Sequence, residues 1–289
     1  MAVQTIRYII HCDAKGDKKL AKINNALVTS YDMSQANRDR LTQELAPATV
    51  HFAMPNDKET IEKYIHDVDV AILNGDADEQ ILSVEKLRWI HCMHAGLDKT
   101  VRSEIFERGI VLTSSSGRSA PALAEHVLMF MLALTYDVPM LLRAQAEHRW
   151  AASREYFQKT GLYGKTVGII GLGKTGAEVA RLSKQFDMRV LSWRRAADKP
   201  ENVDIVYSSD RGQGVEELLK ESDYVVLCAA LNDATWHILN RETLALMKPN
   251  AFVINMGRGA LIDEAALAEA LASGVIAGAG LDTFAKEPL

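Results

Sequence analysis

The chain has 289 residues, enough for two ordinary domains, and its 48% hydrophobic content is that of a globular protein with sizeable cores. A net charge of -5 supplies no general attraction to nucleic acid or to an anionic membrane surface. Met1 to Ile10 lacks the basic start and long apolar core of a signal peptide, no run approaches the roughly 20 apolar residues of a membrane span, and Cys12, Cys92 and Cys228 are far apart with no CxxC pair. A soluble, cytoplasmic protein with reduced thiols is expected, with neither nucleic acid nor membrane as partner.

The first hundred residues alternate short apolar runs with helical segments. In chain order they predict a strand at 6–10, a helix at 34–45, a strand at 49–54, a helix at 58–66, a strand at 68–73, a helix at 79–87 and a strand at 88–93. Ser34 and Asp57 each place a side-chain acceptor ahead of a helix-periodic run and are expected N-caps. The polar stretch 113–119 (TSSSGRS) reads as a hinge. Residues 121–135 (PALAEHVLMFMLALT) form a helix apolar nearly all round, which must be buried by another domain or a second subunit.

A second alternation follows: strands at 166–170, 189–193, 224–228, 252–255 and 277–281, with helices at 175–186, 215–220, 241–247 and 264–272 between them. The expected fold class is therefore α/β, with two doubly wound parallel-sheet domains. The first (1–98) would be flavodoxin-like and the second (99–289) Rossmann-like, ligands sitting beyond the carboxyl ends of the strands.

The segment TVGIIGLGKTGAEVA puts Gly171, Gly173 and Gly176 in G-x-G-x-x-G spacing between a strand and a helix. Gly171 permits the tight turn, Gly173 lets backbone approach a pyrophosphate, and Gly176 lets helix and strand pack closely. The same stretch, GIIGLGKT from Gly168 to Thr175, also fits the phosphate loop of nucleoside triphosphatases. That match is read as accidental. Its first glycine would lie inside the strand, and the strand YVVLC lacks the aspartate that such enzymes use for magnesium.

In this fold an acidic residue at the end of the second strand accepts from the adenosine ribose hydroxyls. Here that strand runs into Arg194 and Arg195, which would neutralise a 2'-phosphate. NADP (as NADPH) is the expected cofactor, with NAD possible if Asp198 serves the ribose. Ala230, just past the strand that ends at Cys228, is also expected at the cofactor.

The stretch NMGRGALIDEAALAEAL (255–271) resembles the signature of the D-isomer-specific 2-hydroxyacid dehydrogenases. So do GAGLDTFAKEPL (278–289), AEH (124–126) and LRWIHCMHAGLD (87–98), in the expected order. The resemblance is to the glyoxylate and hydroxypyruvate reductases of that family. It implies hydride transfer between NAD(P)H and a small 2-keto or 2-hydroxy acid such as glyoxylate or hydroxypyruvate, and a homodimer.

By residue, the resemblance makes Arg258 the cation that grips the substrate carboxylate and keto oxygen, and Glu287 the partner of a catalytic histidine. Lys174 and Thr175 would lie over the pyrophosphate. Met256, Gly257 and Asp282 would line the nicotinamide, Asp282 near its carboxamide, and the Ala95 and Gly96 amides would hold the carboxylate. The residue types fit that chemistry: a planar guanidinium serves both carboxylate and developing oxyanion, and a glutamate keeps an imidazole protonated. Related formate dehydrogenases carry glutamine in place of Glu287. NAD(H)-sensing corepressors share most of these motifs and provide the alternative reading, a catalytically incomplete regulatory protein.

His91, Cys92 and His94 stand close together, but no second ligand cluster accompanies them, so no metal site is expected. His94, next to the carboxylate loop, is a candidate substrate contact, whereas His126 and His237 read as structural. The resemblance also implies a proton-donating histidine twenty or more residues beyond Glu287. The sequence stops at Leu289 and no histidine follows His237, so a C-terminal segment is expected to be missing and the chain to reduce keto acids slowly, by roughly 10² to 10⁴.

Overall fold

Short apolar runs flanked by turn residues become strands buried on both faces, and amphipathic segments between them become covering helices. The computed structural model describes residues 23–150 and 160–289, so the expected strand at 6–10 and Cys12 lie outside the described residues. The chain divides into two compact units, Met1–Arg118 and Ser119–Leu289.

In the first unit the described elements are β1 (Asn25–Thr29), α1 (Gln35–Leu45), β2 (Thr49–Ala53), α2 (Lys58–Ile65), β3 (Val70–Leu73), α3 (Glu79–Leu82), β4 (Trp89–Cys92), α4 (Ser103–Glu107) and β5 (Val111–Ser114). All neighbours pair in parallel, in the order β2-β1-β3-β4-β5, which is the flavodoxin-like arrangement. Alternate side chains enter opposite cores. Leu27, Ala71, Leu73, Ile90 and Cys92 meet Ile61 and Ile65 of α2 on one face. Ala26, Val28, Val70, Ile72 and Trp89 meet Leu41 and Leu45 of α1 on the other. Both expected N-caps are present: Ser34 Oγ accepts from Asn37 N at 3.4 Å and Asp57 Oδ1 from Thr60 N at 3.0 Å.

Two differences from expectation concern this unit. β1 lies where no element was expected, and the backbone N–H groups of Asn24, just before it, and of Asn25 donate to Asp69 Oδ2 at 2.7 and 3.1 Å. β5 extends the first sheet, pairing Thr113 with His91 and Ser114 with Cys92. The boundary therefore falls after Arg118, at the end of the polar stretch, and not after residue 98.

The second unit contains α5 (Ala120–Thr135), α6 (Val138–Ala146), β6 (Thr166–Ile170), α7 (Lys174–Gln185), β7 (Arg189–Arg194), β8 (Ile205–Ser208), α8 (Glu216–Glu221), β9 (Tyr224–Leu227), α9 (Arg241–Leu244), β10 (Phe252–Asn255), α10 (Glu264–Ala272) and β11 (Gly278–Leu281). Its sheet is wholly parallel, in the order β11-β10-β9-β6-β7-β8. Strand order reverses between β6 and β9, the switch point where ligands of such sheets bind. The apolar helix α5 is covered by its own unit: Ala124, Val127, Leu128 and Met131 share a core with Val167, Ile169, Val226 and Ile254 of the sheet. Its opposite face stays open, with Met129 50% exposed. Among the described residues no single helix is long and apolar enough to cross a membrane.

Candidate functional site

The carboxyl edge of the second sheet gathers most of the candidate residues. β6 delivers the glycine loop into α7. Gly171 has φ +93°, a conformation that only glycine adopts cheaply, and a Cβ there would overlap the Ala229 backbone after β9. The loop is thereby pinned at the switch point, with Gly171 N donating to Trp193 O at 2.9 Å. A Cβ on Gly176 would overlap Gly171 O, which explains the close helix–strand approach. At Gly173 an added Cβ would meet nothing within 4 Å.

Gly173 is the N-cap of α7 and has no side chain to satisfy the helix's first N–H groups, those of Lys174, Thr175 and Gly176. An open face, orphan amides and the positive end of a helix dipole fit a pyrophosphate. Gly168, by contrast, lies inside β6, where a Cβ would overlap Ser222 Oγ and Leu218. It serves packing, not phosphate.

The next strands extend this edge in order. Ala230 is exposed after β9, its carbonyl accepting from Thr235 Oγ1 at 2.8 Å. β10 ends in Asn255, buried at 1% exposure, which sequence reasoning passed over. Its side chain ties the following loop together: Nδ2 donates to Arg258 O at 2.9 Å, and Oδ1 accepts from Gly257 N at 3.0 Å. Its carbonyl accepts from Asp282 N at 3.0 Å, joining the loop after β10 to that after β11. Met256 and Gly257 are buried beside it, and Arg258 Nη1 donates to Gly257 O at 2.9 Å. The signal was available: a lone polar residue ending an apolar strand must bond locally when buried.

Across the sheet, Asp282 (β11), Arg258 (β10), Ala230 (β9), the glycine loop (β6) and Arg194 (β7) thus fall in a row. The four spacings between these five strands, about 4.8 Å each, span roughly 19 Å. Arg194 ends β7, and its Nη1 lies 3.3 Å from Asp198 Oδ2, so the two rival ribose-end residues are partners. Arg195 is exposed next to them.

Glu287 is exposed, and its Oε1 accepts from Phe284 N at 2.9 Å, fixing the turn after β11. Among the described residues no histidine pairs with it. That turn packs on the arginine loop, because a Cβ on Gly259 would overlap the Phe284–Ala285 backbone.

In the first unit, the Ala95 and Gly96 amides follow β4 and find no acceptor among the described residues. His94 Nε2 lies 3.7 Å from Asp76 Oδ1, a carboxylate oxygen also bound by Thr100 Oγ1 at 2.7 Å. The strand before this loop is buried on both faces, so His91 and Cys92 are both interior. Burial lowers the His91 pKa, and its neutral ring bonds Thr113 Oγ1 at 2.9 Å and Ser115 Oγ at 3.2 Å. Among the described residues no group of three or more His, Cys, Asp or Glu is placed to hold a metal. Burial pushes the Cys92 thiol up and the Cys228 thiol up to about 12, far from nucleophilic character at neutral pH. His237, with φ +48°, stacks its ring on Trp236 at 3.6 Å, and its backbone N–H donates to Ala260 O at 2.9 Å, a structural setting.

A glycine-bearing turn at the switch point of a six-stranded parallel sheet, opening onto a helix N-terminus, defines a dinucleotide-binding α/β protein. Comparison with known proteins agrees. The family described as D-isomer specific 2-hydroxyacid dehydrogenase, NAD binding domain, matches residues 128–289, over half of the chain. A glyoxylate reductase of Pyrococcus furiosus is 34% identical over 239 residues, 80% of this chain and 70% of that protein. A D-3-phosphoglycerate dehydrogenase of Methanocaldococcus jannaschii is 34% identical over 80% of this chain, which spans only 44% of its length. Among solved structures, a D-isomer specific 2-hydroxyacid dehydrogenase from Xanthobacter autotrophicus Py2, in complex with NADPH and MES, aligns with TM-score 0.77 and 27% identity. That alignment covers 93% of this chain and 83% of the other. The chain belongs to the D-isomer specific 2-hydroxyacid dehydrogenase family.

Proposed function

We propose that the protein reduces a small 2-keto acid, such as glyoxylate or hydroxypyruvate, with NADPH. The observation that carries this reading is the row of Asp282, Arg258, Ala230, glycine loop and Arg194 along one sheet edge. In this reading the nicotinamide lies at Met256, Gly257 and Asp282, the pyrophosphate at Gly171, Gly173, Lys174, Thr175 and Gly176, and the adenosine end at Arg194 and Arg195. The bound cofactor supplies the hydride. Arg258 holds the substrate carboxylate and the charge developing on the keto oxygen. Glu287 orients the turn that packs on the arginine loop.

Preference for NADPH follows from the arginines that end β7. Replacing a charge-assisted contact to a 2'-phosphate with repulsion costs about 10- to 100-fold in affinity. Titration of wild type and Arg194→Asp with NADPH and NADH should show the Kd ratio shifting toward NADH by that factor. An unchanged ratio would contradict the assignment and return the ribose to Asp198. We further propose a homodimer, because α5 and α6 leave Met129 and Leu142 50% and 59% exposed. Light scattering at low micromolar concentration giving the mass of one chain would refute it.

A further inference from the structure

His126 has no part in the scheme above, yet the structure clamps it. Its ring stacks on Phe130, one turn further along α5, with centroids 4.5 Å apart and planes 24° apart. Phe130 is wedged on β11: a Cβ built on Gly280 would lie 2.7 Å from Phe130 Cγ. Two residues beyond Gly280 the chain reaches Asp282, and there His126 Nδ1 lies 3.5 Å from Asp282 Oδ1. The backbone of Asp282 is fixed too, by its N–H bond to Asn255 O.

The carboxylate is therefore held from the main chain and from the imidazole, which cannot swing away without unstacking from Phe130. Asp282 is just over a third exposed, and Oδ2 has no partner among the described residues. Beside it, Thr283 Oγ1 is buried without a partner. A carboxylate fixed at one oxygen and open at the other is a pre-set acceptor for an N–H donor brought by a ligand.

We infer that His126 is a positioning residue that holds Asp282 to accept from the nicotinamide carboxamide, and so makes the protein select a ring bearing an amide N–H. This rests on the reading that the β11 edge receives the nicotinamide.

The test is calorimetric titration of the full chain with NADPH and with its reduced 3-acetylpyridine counterpart, in which a methyl group replaces the amide nitrogen. Wild type should bind NADPH about tenfold more tightly, the value of one charge-assisted hydrogen bond. In His126→Ala that preference should shrink to about threefold or less, through weaker NADPH binding with the analogue unaffected. If His126→Ala does not fold, His126→Phe, which keeps the stack on Phe130 and removes the ring nitrogens, carries the same comparison. Equal weakening of both ligands would show a merely structural role and overturn the inference, as would an undiminished preference. Wild type binding both equally would overturn it as well, whereas wild type binding neither would overturn the cofactor reading beneath it.

Discussion

Replacing Arg258 by alanine should lower kcat/KM for 2-keto acids by about 10³- to 10⁴-fold while leaving the Kd for NADPH within about threefold. The chemistry places most of its demand on this side chain. As hydride reaches the carbonyl carbon, the electron pair moves to oxygen, and a guanidinium at that oxygen is worth about 10² to 10³ in rate by analogy with an oxyanion-hole donor. The remaining loss comes from weaker grip on the carboxylate. Arg258 sits on a loop that the buried Asn255 side chain ties down at two points, so its position is set before substrate arrives. Lysine should restore little, because a point charge cannot bridge two oxygens as a planar fork does. Stopped-flow and steady-state kinetics beside a cofactor titration check this; equal losses in NADPH affinity and turnover would show that the arginine serves the cofactor.

The second large effect is on stability. Gly171→Ala should destabilise the second unit by about 3 kcal/mol, a fall in melting temperature of roughly 6 to 12 °C for a unit of this size. Two penalties combine. At φ +93° a Cβ is strained by about 1 to 2 kcal/mol whatever surrounds it, and here it would also overlap the Ala229 backbone, which cannot rotate aside as a side chain would. Relief requires the glycine loop and the loop after β9 to part at the switch point, so NADPH affinity should fall with stability. Thermal unfolding followed by circular dichroism reads the first effect, and an unchanged melting temperature would show that the turn has another shape. Gly173→Ala is the internal contrast: with nothing within 4 Å of its Cβ it should leave the melting temperature nearly unchanged.

Much of this site was legible in the residues because its parts are local. The G-x-G-x-x-G spacing carries its own geometry, and each of the three glycines occupies the position that the spacing assigns it. Ser34 and Asp57 cap helices for the same reason, since a cap is decided within three residues. What escaped is settled across the chain. β1 is five residues long and polar at its start, and it becomes a strand because β2 and β3 pair with it on both sides. β5 and β8 are edge strands with partly exposed residues, so their apolar signal is weak. The boundary at 118/119 follows from β5 joining the first sheet, a pairing no local pattern announces. The His126–Asp282 contact joins residues 156 positions apart and depends on α5 lying against β11. Helix α5 itself was readable as buried, but not what buried it: the cover is the unit's own sheet.

The measurement that bears most directly on the whole account is oxidation of NADPH, followed at its nicotinamide absorbance, on addition of a panel of 2-keto acids to the full chain. Saturable, keto-acid-dependent oxidation is expected with glyoxylate, hydroxypyruvate or a small branched 2-keto acid, and none with the matching aldehydes that lack a carboxylate for Arg258. NADPH that binds but is oxidised by no keto acid, or by the aldehydes equally well, would contradict it.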